Sequence, residues 1–208
     1  MIAQPGDSAV ELSAPAEVPA AGRWPEAGLR RGPIAVRVWE PDDVPQLLEL
    51  MRDPESRRWS PIFTEPGEQD CRDRVQRAQE AAKSGRPASF AVVAADDRAQ
   101  VLGTFDWRNT FPPAFSIVDV GYSVAPAARG RGVASTALAL VSDWLLDPAG
   151  GDVVRVQLDH AVENVGSCRT ALRAGFAVEG RRAAFLPLRE RPDAPVVRHE
   201  VCLHGRVR

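Results

Sequence analysis

Gly130 and Gly132 stand two residues apart after Arg129, and beyond them Val133, Ala137, Leu140, Val141, Trp144 and Leu145 recur at helical spacing. A helix that begins at a glycine turn presents backbone N–H groups with no intrahelical acceptor at the positive end of its dipole. That is the chemistry that takes up an anion such as phosphate. The glycines keep a Cβ out of the way of the incoming oxygens. Before the turn, the run Ile117 to Val124 alternates, with Val118, Val120, Tyr122 and Val124 on one face and Asp119, Gly121 and Ser123 on the other, until Pro126 ends it. Asn164 and Ser167 stand three residues apart at the start of a second helical pattern. The residues that could do chemistry are therefore a strand carboxylate, a few hydroxyls, a side-chain amide and an anion-holding turn. The turn is not a Walker loop, because no Lys-Ser/Thr pair follows the glycines, and its spacing is not that of a dinucleotide fingerprint.

The run Arg129, Gly132, Ala134 spells [Arg/Gln]-x-x-Gly-x-[Gly/Ala] behind a strand, and it resembles the pyrophosphate-binding signature of the GNAT acyltransferases. Extended to Gly121-Tyr122-Ser123-Val124, Asn164, Ser167 and Gly175-Phe176, the pattern is similar to the RimJ/RimL-like branch of N-acetyltransferases. The resemblance covers about residues 34–203. It implies acetyl-CoA as co-substrate and a GNAT-like α/β fold, a mixed and mostly antiparallel twisted sheet flanked by helices with a splayed central strand pair. It also implies that the backbone of Tyr122, Ser123 and Val124 pairs with the pantetheine arm. The amides of Arg129, Gly130, Arg131, Gly132, Val133 and Ala134 would then hold the pyrophosphate, with Asn164 near the arm. Asn164 is equally suited to cap the helix that starts at Val165.

Acetyl transfer to an amine needs a bound thioester, a neutral nucleophile and a proton for the departing thiolate. An α-amino group, with a pKa of about 8, is neutral in roughly a tenth of molecules at pH 7, whereas lysine at about 10.4 is neutral in far fewer. An α-amine needs little help, and a lysine needs a base. Asp119 lies two residues before Gly121, where several GNAT proteins place a catalytic glutamate, and the resemblance makes it the candidate base, acting through water; the other reading is a solvated strand carboxylate. Many GNAT proteins carry a tyrosine four residues before the Gly-Phe pair, but that position here is Ala171. Ser167 matches the serine of the Asn-x-x-Ser pattern and is the candidate proton donor, although a helix serine also bonds its own backbone. Trp59 and Trp107 fall in segments that line the acceptor groove in related folds.

The chain has 208 residues and a formal net charge of −2, long enough for a proper core and too little basic for a broad nucleic-acid footprint. Lys83 is the only lysine, which reads as a coding bias. Cys71, Cys168 and Cys202 are too scattered for a zinc knuckle or a redox pair, and His160, His199 and His204 show no ligand spacing, so no metal is expected. No apolar run approaches the ~20 residues that span a bilayer. With no signal-peptide pattern at the start, the expectation is a cytoplasmic protein with reduced thiols.

Residues 1–33 carry scattered prolines and no periodicity, and a disordered tail is expected ahead of a single domain over residues 34–208. Within the domain the pattern predicts a strand at residues 34–39, a helix at 42–51 closed by Asp53-Pro54 and a polar helix at 68–83 ending at Ser84-Gly85. A hairpin at 89–95 and 101–107 comes next, followed by the central strand and helix. A strand at 153–158, a helix at 164–174 with Val165, Cys168, Ala171 and Leu172 inward, and a closing antiparallel pair complete it. The function expected is acetyl transfer to a primary amine, with a protein N-terminal α-amine as acceptor by resemblance to RimJ/RimL proteins. The alternatives are a small-molecule amine such as an aminoglycoside or polyamine, or an acyl-CoA-binding module without turnover.

Overall fold

Short apolar and β-branched runs form the strands β1 (Leu29–Arg31), β2 (Ile34–Val38), β3 (Ser89–Ala94), β4 (Val101–Arg108), β5 (Ile117–Val124), β6 (Arg155–Ala161), β7 (Ala177–Leu188) and β8 (Val197–Val207). The helices are α1 (Val44–Arg52), α2 (Pro54–Arg58), α3 (Glu68–Lys83), α4 (Val133–Leu146) and α5 (Val165–Arg173). The computed structural model describes residues 24–208 apart from 85, 87 and 192.

The strands make one sheet in the order β1-β2-β3-β4-β5-β6-β8-β7. Every neighbouring pair is antiparallel except β5 and β6, which are parallel because α4 carries the chain back across the sheet between them. This is the mixed, mostly antiparallel architecture expected. The β5–β6 ladder is short, pairing Ile117–Asp119 with Arg155–Gln157 and no further, although β5 runs on to Val124 and β6 to Ala161. The two central strands part at Asp119 and Gln157.

Alternation along β2 and β3 feeds two cores. Ile34, Val36, Phe90 and Val92 join the α4 stripe of Val133, Ala137, Leu138, Val141 and Leu145 on one face. Ala35, Ala91 and Val93 meet Val44, Leu47 and Leu50 of α1 and Cys71, Val75 and Ala78 of α3 on the other. Arg37 is the polar exception on β2. Its guanidinium grips Asp43 through two bonds of 2.6 and 2.9 Å and donates to the Arg98 carbonyl, so the buried charge is paired.

Three sequence expectations change. Residues 24–33 belong to the sheet layer rather than to a tail, because Trp24 stacks on Phe90 at 4.0 Å and Leu29–Arg31 pairs with Ile34–Val36. Residues 1–23, the rest of the expected tail, lie outside the described residues, as does Gly85. Asp53-Pro54 opens a helix as well as closing one, since the Asp53 carboxylate caps α2 by accepting from Ser56 N–H at 2.8 Å. In α5 the buried stripe is rotated. Val165 and Leu172 are exposed, and Ser167, Cys168, Ala171 and Ala174 turn inward, because the serine and cysteine find polar company on the sheet.

Candidate active site

A groove of about 1630 Å³ opens where β5 and β6 diverge. One wall is the free edge of β5, with Val120 to Val124. The floor near the turn is Gly130, Gly132, Val133 and Ala134, and the opposite wall is Asp159 to Ala161 together with Asn164 and Ser167. Beyond Asp119 the edge of β5 that faces β6 has lost its partner strand, while its other edge stays bonded to β4 as far as Val124. Along that free edge, where alternate residues turn their N–H and C=O outward, the β5 backbone between Val120 and Val124 faces the groove.

At the end of that edge, Gly130 and Gly132 adopt φ of 74° and 77°, the left-handed region that costs any other residue strain. Gly132 is the N-cap of α4, and no side chain caps this end. The first amides of α4 have no intrahelical acceptor, their residues Val133 and Ala134 line the groove, and a Cβ at Gly130 would meet nothing within 4 Å. The Arg129 guanidinium bonds the nearly buried Asp53 carboxylate and ties the turn to the start of α2. Burial pushes the Asp53 carboxyl up, but the Ser56 N–H and the Arg129 guanidinium outweigh it and hold the group below its ordinary range. Arg131 is exposed.

Asn164 serves as the α5 cap, its side-chain oxygen accepting from Ser167 N–H at 3.0 Å. Its NH₂ is left for the groove that it lines. Ser167 Oγ lies 2.9 Å from the Tyr122 hydroxyl. The sequence put Tyr122 on the face away from Asp119, and that phase carries its phenol to α5, where burial raises its pKa against the pull of Ser167 and Thr170. The phenol stays protonated at neutral pH, and two hydroxyls sit in bonding contact on the groove wall. This pair, separated by 45 positions, leaves no mark in the sequence pattern.

Asp119 stands where the strands part. Its carboxylate accepts from Thr110 Oγ1 and, at 3.0 Å, from Gln157 Nε2. It is held as a bonded carboxylate at the closed end, and the groove wall is formed instead by Asp159, one alternation beyond Gln157 on β6. Burial raises the Asp159 pKa, opposed by Arg182, and the charge of Asp119 raises it further. The Arg182 guanidinium is 3.7 Å away and both side chains are part-exposed. Alternation along β6, with Val156, Leu158 and His160 in the core phase and Gln157 and Asp159 in the other, makes Asp159 a candidate without choosing it over Asp119.

Of the two tryptophans expected in the acceptor groove, Trp59 lines it half-buried, with Nε1 donating to Glu55 at 2.8 Å and Arg58 stacked on the ring. Trp107 is 5% exposed and packed against Phe90 and Trp144, so its bulk belongs to the core. Its edge still borders the groove, which its strand neighbour Asp106, bonded to Arg74 at 2.7 Å, also lines. The burial of Trp107 follows from phase, since it pairs directly with Val120, a core position of β5. Among the described residues no helix is long and apolar enough to cross a membrane.

An acetyltransferase (GNAT) domain family matches residues 34–177. Solved structures share the fold at low identity. The ribosomal-protein-S5-alanine acetyltransferase of Vibrio fischeri superposes with a TM-score of 0.72 at 18% identity, over 86% of this chain and 94% of that one. RimJ of Mycobacterium smegmatis, in complex with CoA-disulfide, gives 0.70 at 19%, over 88% and 83%. The spermidine N-acetyltransferase of Vibrio cholerae, in complex with CoA and spermine, gives 0.65 at 15%, over 85% and 96%. No curated protein sequence matches the chain. The family match over most of the chain, on a sheet whose central strands part beside a glycine-led helix, identifies the chain as a member of the GNAT acetyltransferase family.

Proposed function

We propose that this chain is an acetyl-CoA-dependent N-acetyltransferase that works by direct attack of a neutral amine on the thioester, with a protein N-terminal α-amine as acceptor. The observation that carries this reading is the unpaired β5 edge from Val120 to Val124 running into the free amides at the start of α4. An extended, amide-bearing arm ending in a diphosphate is complementary to both features at once. The RimJ relative holds CoA, which supports the same co-substrate here.

The residues then divide the work. The Tyr122, Ser123 and Val124 backbone pairs with the arm, the amides of Gly130 to Ala134 hold the diphosphate, and the Asn164 NH₂ donates to the arm. Arg169 and Arg173 line the same groove within one turn of each other and add positive charge for a further phosphate. Ser167, bonded to the Tyr122 phenol, donates the proton that the departing thiolate needs, and the phenol replenishes it. Asp159, kept basic by burial and by Asp119, takes the ammonium proton through water. Asp119, engaged by Thr110 and Gln157, orients the wall and supplies that charge. Holding amine and thioester together supplies much of the remaining acceleration.

The α-amine acceptor is taken from the likeness to the RimJ and ribosomal-protein-S5-alanine acetyltransferase structures. The test is release of free CoA thiol across unblocked peptides, the same peptides N-acetylated, polyamines and aminoglycosides. Turnover confined to unblocked peptides is expected. Turnover confined to polyamines would replace the acceptor, and acetyl-CoA binding with no release on any amine would leave an acyl-CoA-binding module.

A further inference from the structure

Three side chains that the proposed reaction does not use converge between the sheet and α5. On the antiparallel pair β6–β8, Leu158 faces His204 and His160 faces Cys202, so His160 and His204 emerge on one face a diagonal step apart. Their Nε2 atoms are 3.1 Å from each other, with the rings stacked at 5.1 Å. Cys168 on the inward stripe of α5 brings its sulfur to the same point, and one ligand atom from each residue lies within 4.8 Å of the other two. Both imidazoles are buried, His160 at 5% and His204 at 0% exposure.

The tautomers are constrained. His160 Nδ1 is 2.8 Å from the Ala161 carbonyl, which can only accept, so Nδ1 carries a proton and Nε2 is the atom aimed at His204. Second-sphere support of this type, a ring N–H fixed on a backbone carbonyl, is what orients a metal-binding histidine. His204 Nδ1 is buried without a hydrogen-bond partner among the described residues, so an uncompensated polar atom remains whichever nitrogen holds its proton. A direct His204 Nε2–H to His160 Nε2 bond satisfies one nitrogen of each ring and gives Cys168 nothing to do.

We propose that His160, His204 and Cys168 form a binding site for a zinc-class divalent cation, with three protein ligands and one position left for water. Two imidazoles and a thiolate are the donor set that zinc selects over calcium or magnesium. Two nitrogens about 2.0–2.1 Å from a common ion in tetrahedral array lie a little over 3 Å apart, the separation found here. On binding, the Cys168 thiol proton leaves to solvent as the sulfur–metal bond forms, and the His204 proton moves from Nε2 to Nδ1. The inter-ring hydrogen bond breaks as the two nitrogen–metal bonds form. His160 also lines the groove, which gives the ion a route in. The site is independent of which amine the enzyme acetylates.

The test is cobalt(II) titration of the full-length, chelator-stripped, reduced chain, read by absorption, with zinc competition and metal analysis alongside. The expected result is one saturable equivalent with visible ligand-field bands and a thiolate-to-cobalt charge-transfer band, displaced by zinc. Cys168→Ser should lose the charge-transfer band and bind at least about tenfold more weakly while keeping its circular dichroism spectrum, and His160→Asn should weaken binding similarly. His199→Ala, whose imidazole meets Glu163 elsewhere on the surface, should bind as wild type does. Absence of a saturable equivalent, or affinities unchanged in both Cys168→Ser and His160→Asn, would overturn the proposal and leave a hydrogen-bonded histidine pair beside a buried thiol.

Discussion

A carboxylate whose pKa is raised by burial and by a like charge becomes a better base near neutrality, and Asp159 is such a group. Asp159→Asn should lower kcat/KM for a peptide acceptor by about 10²-fold at about pH 6. The loss should shrink towards about pH 9, where an α-amine of pKa about 8 is already neutral. A pH-rate profile with an equal loss throughout would remove Asp159 from proton transfer. Ser167→Ala and Tyr122→Phe should each lower kcat about tenfold without changing the Kd for acetyl-CoA, and the double variant should be little worse than Ser167→Ala, because two hydroxyls in one relay fail as a unit. Additive losses would mean that they act separately. The serine was legible in the Asn-x-x-Ser spacing. Its phenol partner was not, because alternation tells which face a side chain takes but not which helix, 45 residues on, will pack there. The same limit hid Asp159, since an alternating strand names candidates on both faces and only the place where the strands part chooses between Asp119 and Asp159.

The glycine turn works as an element because its backbone is held from two sides, by the left-handed residues within it and by the Arg129–Asp53 tie to α2. Gly132→Ala meets no steric obstacle, the nearest atom to its added Cβ being Ser135 Oγ at 3.8 Å, so its cost is conformational. That cost is about 1–2 kcal/mol, which should appear as a roughly tenfold weaker acetyl-CoA Kd by calorimetry if the turn relaxes out of the left-handed region. An unchanged Kd would separate the turn from the diphosphate. The tie has its own signature. The Asp53 pKa is lowered in the folded chain, so the unfolded chain binds more protons between the two values. The stabilising contribution is therefore fully present above the unfolded value of about 3.9 and is lost as pH falls through the lowered folded value. Asp53→Asn should flatten that acid limb in a stability-versus-pH series, and the limb would persist unchanged if the tie contributes nothing. The sequence showed the turn, because glycine spacing before a helical stripe is a local signal. It did not show α2, because an Asp-Pro pair that ends one helix is also an N-cap and N1 pair that starts another.

The whole molecule depends on residues outside the span that carries the family match. That match covers residues 34–177, yet β6 is bonded along its length to β8, and the aromatic cluster over the α4 core is completed by Trp24. Trp24 lies 4.0 Å from Phe90 and 5.1 Å from Trp144, and Trp144 in turn meets Trp107 at 5.7 Å, so four rings share one packed layer beneath the sheet. Nothing in the proline-rich start of the chain signalled this, since one aromatic without periodic neighbours is read the same way in a tail as in a core. Emptying so large a buried volume costs about 3–5 kcal/mol, against a total of about 5–15 kcal/mol for a typical domain. Trp24→Ala should therefore lower the urea midpoint substantially with little change in the slope, while Trp59→Ala on the groove wall should leave the midpoint nearly in place and act on the acceptor KM instead. A chain starting at residue 34 should lose at least as much stability as Trp24→Ala, because it gives up β1 together with the ring. Equal midpoints for wild type and Trp24→Ala would return residues 24–33 to the status of a tail, and the α4 core would then have to close without them.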